Sequence, residues 1–342
     1  MGMTSVKSLS KGYLPSWLSS FRLFINYIIS FTLSSILSLL WFYLKPWVKI
    51  GLRKCTGLCE LQRICYKTEK GAQRSLEVEK CVYSSKCQIV KTIRNQLDDV
   101  AKNGRFNSSN TREVVQLVEN AVESICNEKE INPSNHPEFV TAMRICFLQI
   151  YGYKNLQYKI NCLRNVPIDL NNSKHVKKLT KLWNSLNPNN PLQSKISSQW
   201  IEIGFNCEDP VANFRGIGLL GLENLLYFSI NYTKNAQQIL NHSKSTINGF
   251  PFASTGIYLT YVTINLLNTG RLKTHFYNSH FGTTCLEDFH KVYCYLFCAL
   301  EHLWLKEKSN NENDLSFIKE KLISKLDSEL ERNDIILKWI PL

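Results

Sequence analysis

Eight large apolar residues near the C-terminal end, Phe289, Val292, Tyr293, Leu296, Phe297, Leu300, Leu303 and Trp304, recur at i, i+3, i+4, i+7 and i+8. That spacing puts them on one continuous face of a helix and cannot serve a strand, whose period is two. The same period returns after Asn110-Thr111, with Val114, Leu117, Val118, Ala121, Val122 and Ile125. It returns again at Val176, Leu179, Trp183 and Leu186, and once more after Asp314 with Leu315, Ile318, Leu322 and Leu326. Sustained alternation is found nowhere, so the chain reads as all-α, a multi-helix globular fold. Polar breaks fall at 103–110, 132–137, 187–191 and 308–313, each rich in Asn, Pro, Ser or Gly. No repeat of fixed period is present. The expected division is a segment over 1–48, an N-terminal helical region over 49–173, and a second helical domain over 174–332.

A 342-residue chain with 44% hydrophobic residues has ample material for a core. Its net charge of +13 suggests nucleic acid until the charges are placed. Seven cations, Lys7, Lys11, Arg22, Lys45, Lys49, Arg53 and Lys54, precede the first acid, Glu60. They bracket Leu23 to Leu44, which holds no ionisable group except Tyr27 and Tyr43. A helix over about 22–44 would span roughly 33 Å, the depth of a bilayer core. Trp41, Phe42 and Trp47 at its end suit a membrane interface. The charge therefore points to a membrane and not to nucleic acid. The segment is expected to attach to a membrane, spanning being preferred over lying in its surface, although several hydroxyls (Ser30, Thr32, Ser34, Ser35, Ser38) weigh against spanning. A cleaved signal is disfavoured, because the run is long and ends in Lys45-Pro46-Trp47. Three cations before the run and four after it leave its orientation open. Sequons at Asn107, Asn171, Asn231 and Asn241 would matter only for a lumenal body.

Twelve cysteines complete no zinc module at usual spacing. His290, Cys294 and Cys298 stack at i, i+4 and i+8, and the simpler reading makes them part of the apolar face. Between Glu223 and Glu287 no acid occurs while Lys234, Lys244, Arg271 and Lys273 do. A basic face and a mostly buried region with a few solvated cations fit equally well.

The segment of greatest functional interest runs from Trp200 to Gly221 and contains Gly204, Phe205, Asp209, Pro210, Asn213, Phe214, Arg215, Gly216 and Gly218. Glycines do not fill a core, but they let backbones approach and leave a neighbouring long side chain free to project. Three readings are available. Gly216-Ile217-Gly218-Leu219-Leu220-Gly221 matches a dinucleotide fingerprint, which fails here because there is no preceding strand and no acid about twenty residues on. A helix start with close packing is the second: Asp209 caps, Pro210 takes the first helical position, and Leu219, Leu222 and Leu226 face the core. That reading leaves Arg215 without a role. The third is an arginine finger, a guanidinium inserted in trans to cancel the charge that builds on a γ-phosphate.

Trp200-x-x-Ile203-Gly204-Phe205 followed by Asp209-Pro210-x-x-x-Phe214-Arg215-Gly216-x-Gly218-x-Leu220-Gly221-Leu222 resembles the signature of the ELMO domain. The likeness extends through Thr56-Gly57-x-Cys59-Glu60-Leu61-Gln62-Arg63, Gly71-Ala72-Gln73-Arg74, Ile150-x-Gly152-Tyr153-Lys154 and Phe289-His290-x-x-Tyr293-Cys294-Tyr295. It covers most of the chain from about residue 50, and it is closer to the small ELMO domain-containing proteins than to the large scaffolds that work with Dock exchange factors. The resemblance implies an all-helical GTPase-activating protein for Arf and Arf-like GTPases, with Arg215 as the catalytic finger. It implies no cofactor of the chain's own, since Mg and GTP are carried by the partner GTPase. It also implies attachment to an intracellular membrane, endomembrane or mitochondrial, on the cytosolic face. Gly216 and Gly218 would give the partner clearance, Asp209-Pro210 would set the turn, and Trp200 and Phe214 would either anchor the segment or touch the GTPase. The alternative is a non-catalytic helical module or adaptor that binds a GTPase or an exchange factor at a membrane.

Three departures from the family pattern stand out. Asn206-Cys207 replaces Gln-Gly, Ala212-Asn213 replaces Thr-Asp before Phe214-Arg215, and about twenty residues precede the apolar run. If a carboxylate at position 213 normally orients the guanidinium, the amide of Asn213 can offer only a neutral hydrogen bond.

Overall fold

In a computed structural model, the described residues are 36–38, 40, 41, 43, 44, 47–103, 110–245, 249–307 and 312–338. The chain divides into two compact units, Met1–Glu60 and Leu61–Leu342. Among the described residues there is no strand, so the all-α expectation holds.

In the first unit the described residues from Ile36 to Thr56 are helical, with Ile36, Leu37, Leu40, Trp41, Leu44 and Trp47 exposed. Lys49 pairs with Glu60 at 2.5 Å. The membrane helix expected over about 22–44 falls largely outside the described residues. Among those that are described, no helix is long and apolar enough to cross a membrane. The cations Lys49, Arg53 and Lys54 break up the apolar character of the helical residues after Trp47.

From Glu60 onward the described helices are α1 (Glu60–Lys67), α2 (Ala72–Tyr83), α3 (Gln88–Asn103), α4 (Asn110–Lys129), α5 (Pro137–Asn165), α6 (Ser173–Leu186) and α7 (Gln199–Glu202). They continue with α8 (Pro210–Asn213), α9 (Gly218–Asn231), α10 (Thr233–Ser243), α11 (Phe252–Asn268), α12 (Lys273–Ser279), α13 (Leu286–Glu307) and α14 (Glu312–Leu330). The 29-residue α5 starts with Pro137 at a position where no backbone donor is needed, and it packs against both the early helices α2, α3 and α4 and the later α9, α11, α12 and α13.

Helix α9 lies at the centre of the later helices, touching α5, α6, α10, α11 and α13. Its sequence, GLLGLENLLYFSIN, is apolar nearly all round, as a helix enclosed on every side must be. One buried polar clasp joins three helices there. Asn224 donates through Nδ2 to Thr260 Oγ1 at 3.0 Å, so its Oδ1 is left to accept from His290 Nδ1 at 2.6 Å. Burial holds the His290 imidazole neutral, with its pKa lowered to about 4.

The predicted stripe on α13 is buried throughout, and Cys294 and Cys298 are buried beside it, the Cys298 thiol pushed up to about 12 by burial. Among the described residues no group of three His, Cys, Asp or Glu is placed to hold a metal. In the acid-free stretch Arg271 is paired with Asp327 and Lys273 with Glu79 at 2.7 Å, so two of its four cations serve internal packing.

Candidate functional site

The site is a turn held between the short helix α8, the start of α9 and the end of α5. Asp209 adopts extended backbone and accepts the Val211 N–H through Oδ1 at 2.9 Å, with Pro210 at the first helical position of α8. This satisfies one of the donors a helix start leaves free. After four residues α8 stops, and Phe214, Arg215, Gly216 and Ile217 form the turn into α9.

All three aromatic side chains of the segment, Trp200, Phe205 and Phe214, point inward. Phe214 is 2% exposed and closes a row of edge-to-face aromatic rings: Trp183 to Trp200 at 5.6 Å, Trp200 to Phe205 at 5.4 Å, and Phe205 to Phe214 at 5.7 Å. Such pairs stabilise by about 0.5–1.5 kcal/mol each beyond the area they bury. The indole of Trp200 is fully buried and donates to Lys195 O at 3.0 Å. Trp200 and Phe214 are therefore anchors of the segment, which resolves the choice left open by the sequence.

The glycines do different things. Gly218 has φ +59, and a Cβ there would collide with the carbonyl oxygen of Arg164 and lie 2.5 Å from that of Val166. Its missing side chain lets the end of α5 dock onto the start of α9, where Leu219 N–H donates to Val166 O at 2.8 Å. Gly204 receives the Pro251–Phe252 backbone in the same manner, and Ala253 and Ser254 N–H donate to the carbonyls of Ile203 and Gly204. Gly216, by contrast, is exposed, and a Cβ added to it would meet nothing within 4 Å.

Arg215 is exposed, and among the described residues it makes no hydrogen bond or ion pair. The backbone that carries it is braced on both sides. Phe214 anchors the residue before it, and Arg164 Nε donates to the carbonyl of Gly216, the residue after it, at 2.9 Å.

Asn213 does not turn toward the arginine. Its Oδ1 accepts the Asn206 N–H at 3.1 Å and its Nδ2 approaches Cys207 Sγ at 3.6 Å. Ser254 Oγ lies 2.9 Å from Gly204 O and 2.8 Å from Asn206 Oδ1. Asn206, Cys207 and Asn213, three of the positions at which the chain departs from the family pattern, thus meet in one place. Together with Ala212, Ser254 and Ile257 they line a cavity of about 320 Å³ next to the turn. Sequence reasoning missed Arg164 and Ser254. Nothing in their local sequence marks them, since each acts across about fifty residues of chain.

Fold and turn together define an all-helical protein that displays one unpaired arginine from a braced, glycine-flanked loop. Residues 158–319 match the ELMO/CED-12 family, a span that includes α6 to α13 and the whole turn. The chain is 36% identical over 318 residues to ELMO domain-containing protein 1 of Pongo abelii, covering 87% of this chain and 92% of that protein. It is 39% identical over 284 residues to ELMO domain-containing protein 2 of Bos taurus, covering 83% and 91%. ELMO domain-containing protein B of Dictyostelium discoideum is 30% identical over 276 residues, covering 79% and 89%. No solved structure matches significantly. The chain belongs to the ELMO/CED-12 family.

Proposed function

We propose that the chain is a GTPase-activating protein for Arf and Arf-like GTPases, in which Arg215 is the cation inserted in trans against the γ-phosphate. One observation carries this: Arg215 is exposed and unpaired on backbone held from both sides. A surface arginine that serves only solubility needs no such bracing. One that must meet a transferring phosphoryl group does, because its donors have to be in place before charge develops. An arginine supplied in trans raises hydrolysis by about 10³–10⁵, or roughly 4–7 kcal/mol of barrier. Mg and GTP come with the partner, and the chain contributes shape and one charge. The cavity beside the turn offers amides, a hydroxyl and a thiol to a side chain of the docked GTPase.

Because such GTPases are cytosolic, the activity belongs to the cytosolic face of an intracellular membrane. Attachment is assigned to the N-terminal segment, whose described residues expose Ile36, Leu37, Leu40, Trp41, Leu44 and Trp47. Single-turnover release of γ-phosphate from GTP-loaded Arf and Arf-like GTPases tests the assignment. Acceleration of at least one of them by the wild-type chain is expected, and none on any of them sinks it.

A second reading has its own observation. Asn213 spends its amide on Asn206 and Cys207, so no neighbouring side chain steers the Arg215 guanidinium. On that reading the chain is a non-catalytic module that recognises the GTP-bound partner. Nucleotide-dependent binding with unchanged hydrolysis would select it.

A further inference from the structure

Away from the arginine turn, Gly71-Ala72-Gln73-Arg74 borders a second cavity of about 580 Å³, within the range of small-molecule sites. Its walls are largely apolar, with Tyr66, Pro137, Ala142, Ile145 and Phe281 among them. Two cations, Lys70 and Arg74, also face it. Neither forms an ion pair among the described residues. Lys70 is exposed, and Arg74 uses only Nη2, which donates to Thr68 O at 2.8 Å. Arg74 Nε is buried and has no acceptor. A buried donor left unmatched costs about 1–3 kcal/mol, so an arginine held this way needs an explanation.

The other groups around the cavity do not supply one. Burial raises the Cys146 thiol to about 11 even though Arg74 opposes the rise, so it stays protonated. Ser75 Oγ is engaged with Gln149 and Cys146. Glu138, the acid on the lining, is exposed and forms no ion pair among the described residues. The first turns of α2 and α5 both border the space; the Ala72 N–H of α2 is taken by Asn278 Oδ1 at 2.9 Å, while the start of α5 has no side-chain cap and adds its positive dipole end to the cations. Phe281 is 67% exposed at the same place.

We propose that this cavity binds a small amphiphilic anion, an apolar body carrying one phosphate or carboxylate, with Arg74 and Lys70 holding the head. The guanidinium fork matches either oxyanion, and its Nη1, which makes no hydrogen bond among the described residues, would donate to the ligand. The apolar body would lie against Tyr66, Ile145 and Phe281, covering a ring that the chain itself leaves in water. A soluble alkyl phosphate and the headgroup of an anionic phospholipid share this chemistry.

The experiment titrates mono-octyl phosphate into the full-length chain by calorimetry, with 1-octanol and inorganic phosphate as controls. Saturable one-to-one binding with Kd below about 1 mM is expected, with each control weaker by roughly tenfold or more. Arg74→Gln and the cavity-filling Ala142→Trp should each weaken octyl phosphate by at least about tenfold. Lys70→Gln, at an exposed position that cannot compromise folding, should weaken it severalfold. Flotation on phosphatidylcholine vesicles with and without phosphatidic acid then separates the sources. A gain from phosphatidic acid that Arg74→Gln reduces assigns a lipid, and a gain equal in both proteins assigns the soluble anion. No saturable binding by the wild-type chain, octanol binding as tightly as octyl phosphate, or unchanged binding in both Arg74→Gln and Lys70→Gln overturns the proposal.

Discussion

Replacing Gly218 with alanine attacks the arginine turn where its backbone has least room to yield. The residue sits at φ +59, which costs a non-glycine residue about 1–2 kcal/mol. The new Cβ meets two backbone oxygens, of Arg164 and Val166, and neither is the tip of a flexible side chain. Relief requires the end of α5 to withdraw from α9. That breaks the Leu219 N–H to Val166 O bond of 2.8 Å and the Arg164 Nε to Gly216 O bond of 2.9 Å, at about 1 kcal/mol each. Backbone strain and lost bonds together come to about 3–4 kcal/mol. Gly216→Ala is the matched control two residues away: φ +81 exacts the same backbone cost, but the Cβ enters open space, so about 1–2 kcal/mol is expected. Urea unfolding followed by tryptophan fluorescence reads both, since Trp183 and Trp200 are fully buried beside the turn. Gly218→Ala should lose about 2 kcal/mol more than Gly216→Ala. Equal losses would refute the docking of α5 onto α9 as the brace of this loop.

Arg164→Ala removes one partly exposed hydrogen bond and should cost only about 0.5–1 kcal/mol of stability. Stimulated hydrolysis should nevertheless fall roughly tenfold as the turn loosens, with partner binding retained in a pull-down on the GTP-loaded GTPase. Asn213→Asp keeps the acceptor for the Asn206 N–H and should leave stimulated hydrolysis within about threefold of wild type. A large gain in that rate would mean that a carboxylate at 213 reaches Arg215. His290→Gln tests the buried clasp through pH. Because burial lowers the folded pKa of His290 from 6.5 to about 4, the unfolded chain takes up the proton first. Its contribution is present above pH 6.5 and is lost as pH falls toward 4, amounting to roughly 3 kcal/mol. The wild-type plot of unfolding free energy against pH should therefore be steeper across that window than the variant's, and parallel plots would contradict a neutral buried imidazole.

Legibility in the sequence depended on the partners each side chain has. α4, α6 and α14 were legible because each carries a polar face, so its apolar residues show a period; α13 was legible from the spacing of its largest apolar residues, although it buries every position from Val292 to Glu301. α9 and α11 bury nearly every position, and uniform apolarity has no period to detect. The start of α8 was legible down to its atoms, since capping by Asp209 and a first-turn Pro210 depend on neighbours in sequence. Gly218 was legible as a close approach, but its partner was not: it clears space for α5 of the same chain. Arg164, Ser254 and the inward aim of Asn213 lie beyond sequence reasoning for the same reason. Their partners are brought to them only by the packing of α5, α9 and α11.

The central claim is that Arg215 supplies catalytic charge geometry. Single-turnover hydrolysis with Arg215→Lys tests it most directly, because lysine keeps the charge and loses the planar fork. The side chain is exposed and unpaired, so folding should be unaffected. The account predicts that Arg215→Lys still binds the GTP-loaded partner while stimulation falls by about 10³ or more, toward the intrinsic rate. Stimulation within about tenfold of wild type would contradict it.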